Sequence, residues 1–279
     1  DCDDGDSAQY PGADEYCNAE DDDCDGDTDE EAVDGSDYAN DADNDGFGDP
    51  GSTVWQCEGV ENELDCDDSD SGEPVVADPV NGSSSGSGTM TDPFDSLQDA
   101  IDTAGVCVVA MAGTYYEAID FYGNEINVTS MEGPDYTTID ASSASAPAVT
   151  MESAESSDAV LSGFTLTGGI GAESTDSNSY ACSSITTCTD YYTVYCGGGI
   201  YLSGADPTLE NLVITLNELD PASTTVSGDD TYYVNSYGGG LCAMNSAATL
   251  TGVNFIENFA DQGGGIFLDE DSNLTIDQS

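Results

Sequence analysis

Two stretches of this chain place carboxylates at alternate positions around a glycine. One is Asp41-x-Asp43-x-Asp45-Gly46-x-x-Asp49, the other Asp21-x-Asp23-x-Asp25-Gly26-x-x-Asp29. Side chains so spaced converge when the backbone wraps a hard cation, and Ca2+ takes six to eight oxygens at about 2.3–2.6 Å from such a loop. The glycine supplies the positive φ that the sharp turn needs. The spacing assigns the backbone carbonyls of Asp27 and Phe47 to the seventh position of each loop. Neither loop has Glu at position twelve, where Ala32 and Ser52 stand. The bidentate ligand must come from elsewhere, and Glu30 and Glu31 are the candidates for the first loop. Two Asp-Cys-Asp-Asp clusters, Asp1, Asp3 and Asp4, and Asp65, Asp67 and Asp68, complete these sites or form others. The competing reading of every one of them is a solvated acidic turn.

The rest of the composition sharpens this. The 279 residues contain 58 Asp and Glu and no Lys, Arg or His, a formal net charge of −58. Histidine base or ligand chemistry, lysine Schiff bases and arginine phosphate clamps are therefore excluded. Nucleic-acid binding and attraction to anionic membranes, which need basic charge, are excluded with them. No side chain can pair with these carboxylates, so only external cations neutralise them, and oxygen ligands select Ca2+ or Mg2+. Half of the acids lie in residues 1–73, which argues against an evenly solvated halophilic surface. The ten cysteines, an even number, predict disulfides and an oxidising, extracellular compartment. No apolar run approaches the ~20 residues that span a bilayer. Asp1 opens inside a motif, which points to a targeting segment upstream of it.

The elements that must hold these groups fall into two parts. Residues 1–73 are poor in apolar side chains and require metal and disulfides to fold. From residue 74 the pattern changes. Asp92 as N-cap, Pro93 in the first turn and the stripe Phe94, Leu97, Ala100, Ile101 predict a capping helix over 93–104. Short Val/Ile/Thr/Tyr-rich strands follow at Val106–Met111, Ile126–Ser130, Thr137–Asp140 and Ala148–Met151. An internal repeat then emerges. Leu161-Ser-Gly-Phe164-Thr-Leu166 matches Leu209-Glu-Asn-Leu212-Val-Ile214 and Leu250-Thr-Gly-Val253-Asn-Phe255, and Leu274-Thr-Ile276 begins a fourth copy, 24 residues on (274 − 250). The triplets Gly197–Gly199, Gly238–Gly240 and Gly263–Gly265 recur in phase as corners. Ile200, Leu202, Ile266 and Leu268 should face inward, with Tyr201 and Phe267 outward. This period and composition predict a β-solenoid.

Two family resemblances rest on these residues. Asp1-Cys-Asp-Asp, Pro11-Gly-Ala, Glu15-Tyr-Cys17-Asn, Asp21-Asp-Asp-Cys24-Asp-Gly26 and Asp41-Ala-Asp-Asn-Asp-Gly46-Phe-Gly-Asp49 resemble the MopE-type metal-binding repeat of secreted bacterial proteins. The D-x-D-x-D-G core is also similar to thrombospondin type-3 calcium repeats. Copper binding in the name-giving member involves His, which is absent here, so copper is not carried over. Residues 74–279 resemble pectate-lyase-like proteins, and most closely polymorphic outer-membrane protein repeats, in which F-x-x-N precedes G-G-[AG]-[ILV]. The matching text is Phe255-Ile-Glu-Asn258 before Gly263-Gly-Gly-Ile266, with Ile214-Thr-Leu-Asn217 before Gly238-Gly-Gly-Leu241 as a degenerate copy. The resemblance implies a right-handed parallel β-helix, surface display and adhesion.

The fold expected is thus all-β: a right-handed parallel β-helix with an N-terminal capping helix over residues 74–279, preceded by a small irregular disulfide- and calcium-stabilised domain over 1–73. Spacing favours the pairs Cys17–Cys24 and Cys57–Cys66, with a partner for Cys2 upstream or in another chain; Cys107 and Cys242 sit in strands, where a buried free thiol is the competing reading. Cys182, Cys188 and Cys196 lie in or beside the first insertion, and Trp55 reads as the anchor of a small core. Insertions at 170–195 and 219–236 are Tyr-rich and should stack on one side of the coil, as a contact surface for glycan or protein or as local packing. Asn217 and Asn258 read as turn-stacking residues. A polysaccharide lyase lacks its basic residue here. A glycoside hydrolase would need paired carboxylates in a cleft, and no motif marks them; Asp261, Asp269, Glu270 and Asp271 read as an exposed turn. The expectation is a non-enzymatic, calcium-dependent structural or adhesive protein, with carbohydrate binding or hydrolysis as the alternative. Open coil ends predict homo-oligomers or filaments by head-to-tail contact.

Overall fold

The computed structural model describes residues 8–42, 47–48, 52–60, 65, 74–105, 107–181 and 187–277. The chain divides into two compact units, Asp1–Pro74 and Val75–Ser279. Among the described residues it is nearly all β, with one helix.

The first unit has almost no apolar interior. Its buried apolar side chains among the described residues are Ala32 and Ala39. Strands β1 (Ser36–Tyr38) and β2 (Val54–Gln56) pair antiparallel, with Asp37 opposite Trp55. Trp55 is 53% exposed, so it does not anchor a core; its Nε1 donates to the Ala32 carbonyl at 2.8 Å. The hairpin carries Cys57 back to Cys17, and these two form a disulfide with Cα atoms 5.2 Å apart. Both short-range pairs expected from spacing are thereby overturned: the strand pairing, not proximity in sequence, sets the partner. A bridge across 40 residues contributes about 4 kcal/mol in the chain-entropy treatment.

The second unit is a coil of three parallel sheets. Strand β3 (Val75–Ala77) precedes helix α1 (Leu97–Thr103). A first pass then runs through β4 (Cys107–Ala110), β5 (Gly113–Tyr115) and β6 (Ile119–Asp120), and a second through β7 (Asn127–Ser130), β8 (Thr137–Asp140) and β9 (Val149–Met151). The third has β10 (Val160–Ser162) and β11 (Thr165–Thr167), then an inserted hairpin of β12 (Ala172–Ala181) and β13 (Thr187–Cys196), then β14 (Ile200–Ser203). The fourth has β15 (Thr208–Glu210) and β16 (Val213–Thr215), a second hairpin of β17 (Ser223–Ser227) and β18 (Asp230–Tyr237), and β19 (Leu241–Met244). The last has β20 (Thr249–Thr251), β21 (Asn254–Ile256) and β22 (Ile266–Leu268), and β23 (Thr275–Asp277) follows. Equivalent strands of successive passes are hydrogen-bonded neighbours in each sheet.

Register stacks like on like along the coil. Val108, Val128, Leu161, Leu209 and Leu250 form one inward ladder, and all five are buried. Each such side chain contributes about 1.5–3 kcal/mol by leaving water. Ile200 and Leu202 point inward and are fully buried, as expected. The fourth repeat differs: Leu250 pairs with Ile276, a step of 26 (276 − 250), and not with Leu274. A slip of two residues keeps the same face inward, so alternation alone could not choose between them.

Helix α1 starts later than the Asp92–Pro93 signal predicts. Phe94 is held as an extended residue, its N–H donating to the Val76 carbonyl and its own carbonyl accepting from Asp78. Ser96 is the N-cap, accepting from the Asp99 N–H at 3.1 Å. Leu97, Ala100 and Ile101 are buried in the coil's core.

The Gly corners and Asn residues align the passes. Gly197 takes φ 69°, and a Cβ on Gly199 would collide with Ile214 and the Gly240 carbonyl. Asn217 is wholly buried. Its Oδ1 accepts from the Gly169 N–H at 2.9 Å, and its Nδ2 donates to Asn258 Oδ1 at 2.9 Å and to the Leu166 carbonyl at 3.1 Å. The two insertions merge into one sheet of order β12-β13-β18-β17. β13 and β18 pair in parallel, stacking Tyr191 on Tyr232 at 4.8 Å and Tyr192 on Tyr233 at 5.0 Å. Cys196 bonds to Cys242, and Cys107 is also disulfide-bonded, so the competing reading of Cys107 and Cys242 as free thiols does not hold. There is no free cysteine among the described residues.

Candidate metal centre

Residues 21–31 form a tightly coiled loop because short polar side chains cap their own backbone. The Asp25 N–H donates to Asp23 Oδ1 and the Asp27 N–H to Asp25 Oδ1, each at 3.0 Å, and the Gly26 N–H donates to Asp21 Oδ2 at 3.1 Å. These local bonds substitute for regular structure. Positive φ at Cys24, Gly26, Asp29 and Glu31 turns the loop back on itself. Glu15 ties it from outside, its Oε1 accepting from the Asp23 N–H at 2.7 Å and its Oε2 from the Asp29 N–H at 3.1 Å. Asp22 is buried but structural, accepting from the Tyr16 N–H and Asn18 Nδ2.

The result is a shared acidic cluster. Oxygens of Glu15, Asp21 and Asp23 lie within 4.8 Å of one another, and so do oxygens of Asp23, Asp25 and Glu30. Asp23 belongs to both groups. A cavity of about 460 Å³ opens beside them, lined by Asp14, Glu15, Asp23, Asp25, Glu30 and Glu31, with Ala13 and Val33.

No family model, no curated protein and no solved structure matches this chain.

The site is therefore read from its own chemistry. Five carboxylates converge in a chain without a single Lys, Arg or His. Glu30 shows the stress: its own backbone N–H favours the charged form, but desolvation and the charges of Glu15, Asp25 and Asp23 outweigh that and raise its pKa. Glu30 Oε2 is buried with no hydrogen-bond partner among the described residues. A hard cation answers both features, supplying the missing charge and the missing partner, so the cluster can hold a metal ion.

Of the residues expected as ligands, the fold brings Asp21, Asp23 and Asp25 together. The Asp27 carboxylate is exposed and outside both groups, whereas the ligand expected of Asp27 is its backbone carbonyl. The Asp29 carboxylate is occupied elsewhere, accepting from the N–H groups of Asn18 and Ala19 at 3.0 Å. Of the two candidates for the ligand missing from the loop pattern, Glu30 stands in the second group and Glu31 in neither. Glu15 was not singled out as a ligand; its only signal was its place in the Glu15-Tyr-Cys17-Asn text. In the second loop, Asp41 and Phe47 are described, while Asp43, Asp45, Gly46 and Asp49 lie outside the described residues, as do Asp67, Asp68, Asp1, Asp3 and Asp4. Asp65 is buried and its N–H donates to the Gly48 carbonyl at 3.1 Å, which brings this cluster's first residue to the second loop.

Proposed function

We propose that the protein is a calcium-binding structural or adhesive protein of the extracellular space, in which a metal-folded module accompanies a right-handed parallel β-helix. The observation that carries this reading is the Glu15, Asp21, Asp23, Asp25 and Glu30 cluster, in a unit whose buried apolar side chains are two alanines among the described residues. Such a unit lacks the apolar burial that offsets chain entropy, and metal binding supplies folding free energy directly.

Calcium fits better than magnesium. Four carboxylates on a loop of irregular backbone and Glu15 beside it form two groups that share Asp23, whereas Mg2+ demands near-ideal octahedral geometry and retains its waters. The general right-handedness of parallel crossovers supports the right-handed winding. Disulfides support an oxidising compartment, and no helix is long and apolar enough to cross a membrane. A non-enzymatic role accords with a residue set that lacks every basic side chain.

Isothermal titration of the chelator-treated protein with Ca2+ and with Mg2+ tests this. Saturable Ca2+ binding, preferred over Mg2+, is the expected result. Absence of binding at millimolar Ca2+ would overturn the proposal.

A further inference from the structure

The four-stranded sheet built from the two insertions has two edges, β12 and β17. They differ in chemistry. β12 carries Glu173 and Asp176, whereas β17 reads Ser223-Thr224-Thr225-Val226-Ser227, with no charge and no proline. All five β17 residues are exposed, and nothing pairs with its outer edge among the described residues. In a chain where one residue in five is acidic, a neutral, β-branched edge strand stands out. Charges and prolines are the usual guards against edge-to-edge pairing, and β17 has neither. Its geometry is well set: β17 and β18 are joined across Gly228 and Asp229, with Ser227 opposite Asp230 and φ 65° at Gly228.

We propose that β17 is a dimerisation edge that pairs antiparallel with β17 of a second copy of this chain, continuing the four-stranded sheet into eight strands across a two-fold axis. The sequence selects this occupant because it is self-complementary about Thr225. Antiparallel pairing sets Thr225 opposite the partner subunit's Thr225, Thr224 opposite the partner subunit's Val226 and Ser223 opposite the partner subunit's Ser227. Hydroxyl–hydroxyl and β-branched pairs of this kind are favourable across strands. An isologous edge also closes after two copies, so it gives a dimer and no fibre. The opposing term is electrostatic. Each copy carries −58, so two copies repel as they approach. Salt screens this repulsion, so the association strengthens as salt rises, the reverse of a complex held by opposite charges. The proposal rests on β17 alone and is independent of the metal site.

Sedimentation equilibrium of the full chain, at fixed Ca2+ and at low and high NaCl, is the test. Twice the monomer mass at high salt is expected. Thr225→Glu, which sets like charges across the axis, and Val226→Asp should each weaken the dimer by about tenfold or more. Retained near-ultraviolet tyrosine circular dichroism would show the sheet intact in both variants. Thr225→Cys alone should cross-link to itself on oxidation, whereas Ser223→Cys should cross-link only when mixed with Ser227→Cys. A monomer at every salt concentration would overturn the proposal. So would a dimer indifferent to both charged variants, which would mean that another face associates.

Discussion

At the scale of single residues, the metal cluster ranks its own members. Asp23 offers an oxygen to both groups, while the carboxylate of Asp27, four residues on, belongs to neither. Asp23→Asn should therefore weaken Ca2+ affinity by about tenfold or more, roughly 1.4 kcal/mol. Asp27→Asn should leave it within about twofold, because the motif asks only for the backbone carbonyl of that residue. Titration followed by the fluorescence of Trp55 checks this, because it is the chain's only tryptophan and its indole is bonded to Ala32 next to the loop. A second residue-scale effect is set by Asp78 in the coil. Partial burial works against its charge, but the Asn81 side chain and the Asn81 and Val80 N–H groups outweigh this and hold its pKa below the ordinary value. A carboxylate with a depressed folded pKa stabilises above its unfolded value, near 4, and that contribution fades as pH falls through the folded value. The stability gap between the protein and Asp78→Asn should thus be present at pH 6 and vanish toward pH 2, as read by thermal melts at both.

At the scale of elements, stacking of equivalent positions holds the coil, and one buried residue shows how much. Asn217 satisfies the Gly169 N–H and the Leu166 carbonyl and bonds Asn258 in the next pass. Asn217→Ala strands these groups without water, which costs roughly 1–3 kcal/mol for each one left buried and unmade. Leu209→Ala, which removes one rung of the inward ladder, should cost about 2–5 kcal/mol. Denaturant midpoints of the coil measure both, and Asn217→Ala should also loosen the Gly corners, seen as faster amide exchange at Gly198 and Gly199. These stacked residues were legible in the sequence because their repeat is local and periodic. The Asn217 and Asn258 pair, the Gly triplets and the inward Leu positions could all be aligned without coordinates. What escaped were choices made by pairing at a distance. Leu274 and Ile276 both suit an inward rung, and only the strand register picks Ile276. Cys17 lies seven residues from Cys24, yet the β1–β2 hairpin gives it to Cys57. Glu15 precedes its loop and enters the cluster only because its carboxylate bonds the backbone at Asp23 and Asp29.

At the scale of the whole molecule, the two units depend on different forces and should fail separately. The second unit buries a continuous apolar core from Ala77 to Val253, and burial of that kind is indifferent to divalent ions. The first has the Cys17–Cys57 bridge, carboxylate-capped turns and a cluster of like charges. Without a cation, that cluster is a store of repulsion that the disulfides of Cys17 and Cys24 must restrain. Ligand that binds only the folded form stabilises it in proportion to the logarithm of its concentration. Chelation should therefore move the unfolding of the first unit to lower temperature and leave that of the second in place. The single tryptophan makes the two separable: Trp55 fluorescence follows the first unit, and far-ultraviolet circular dichroism follows chiefly the strands of the second. In millimolar Ca2+ the tryptophan transition should shift upward with each tenfold rise in calcium, while the strand transition stays fixed. Reduction of the disulfides in chelator should then abolish the tryptophan transition, because bridges and metal, the two kinds of restraint on the first unit, are both gone. A tryptophan signal unmoved by calcium would show that the first unit is held by something other than metal, and a strand signal that follows calcium would place a cation in the coil as well.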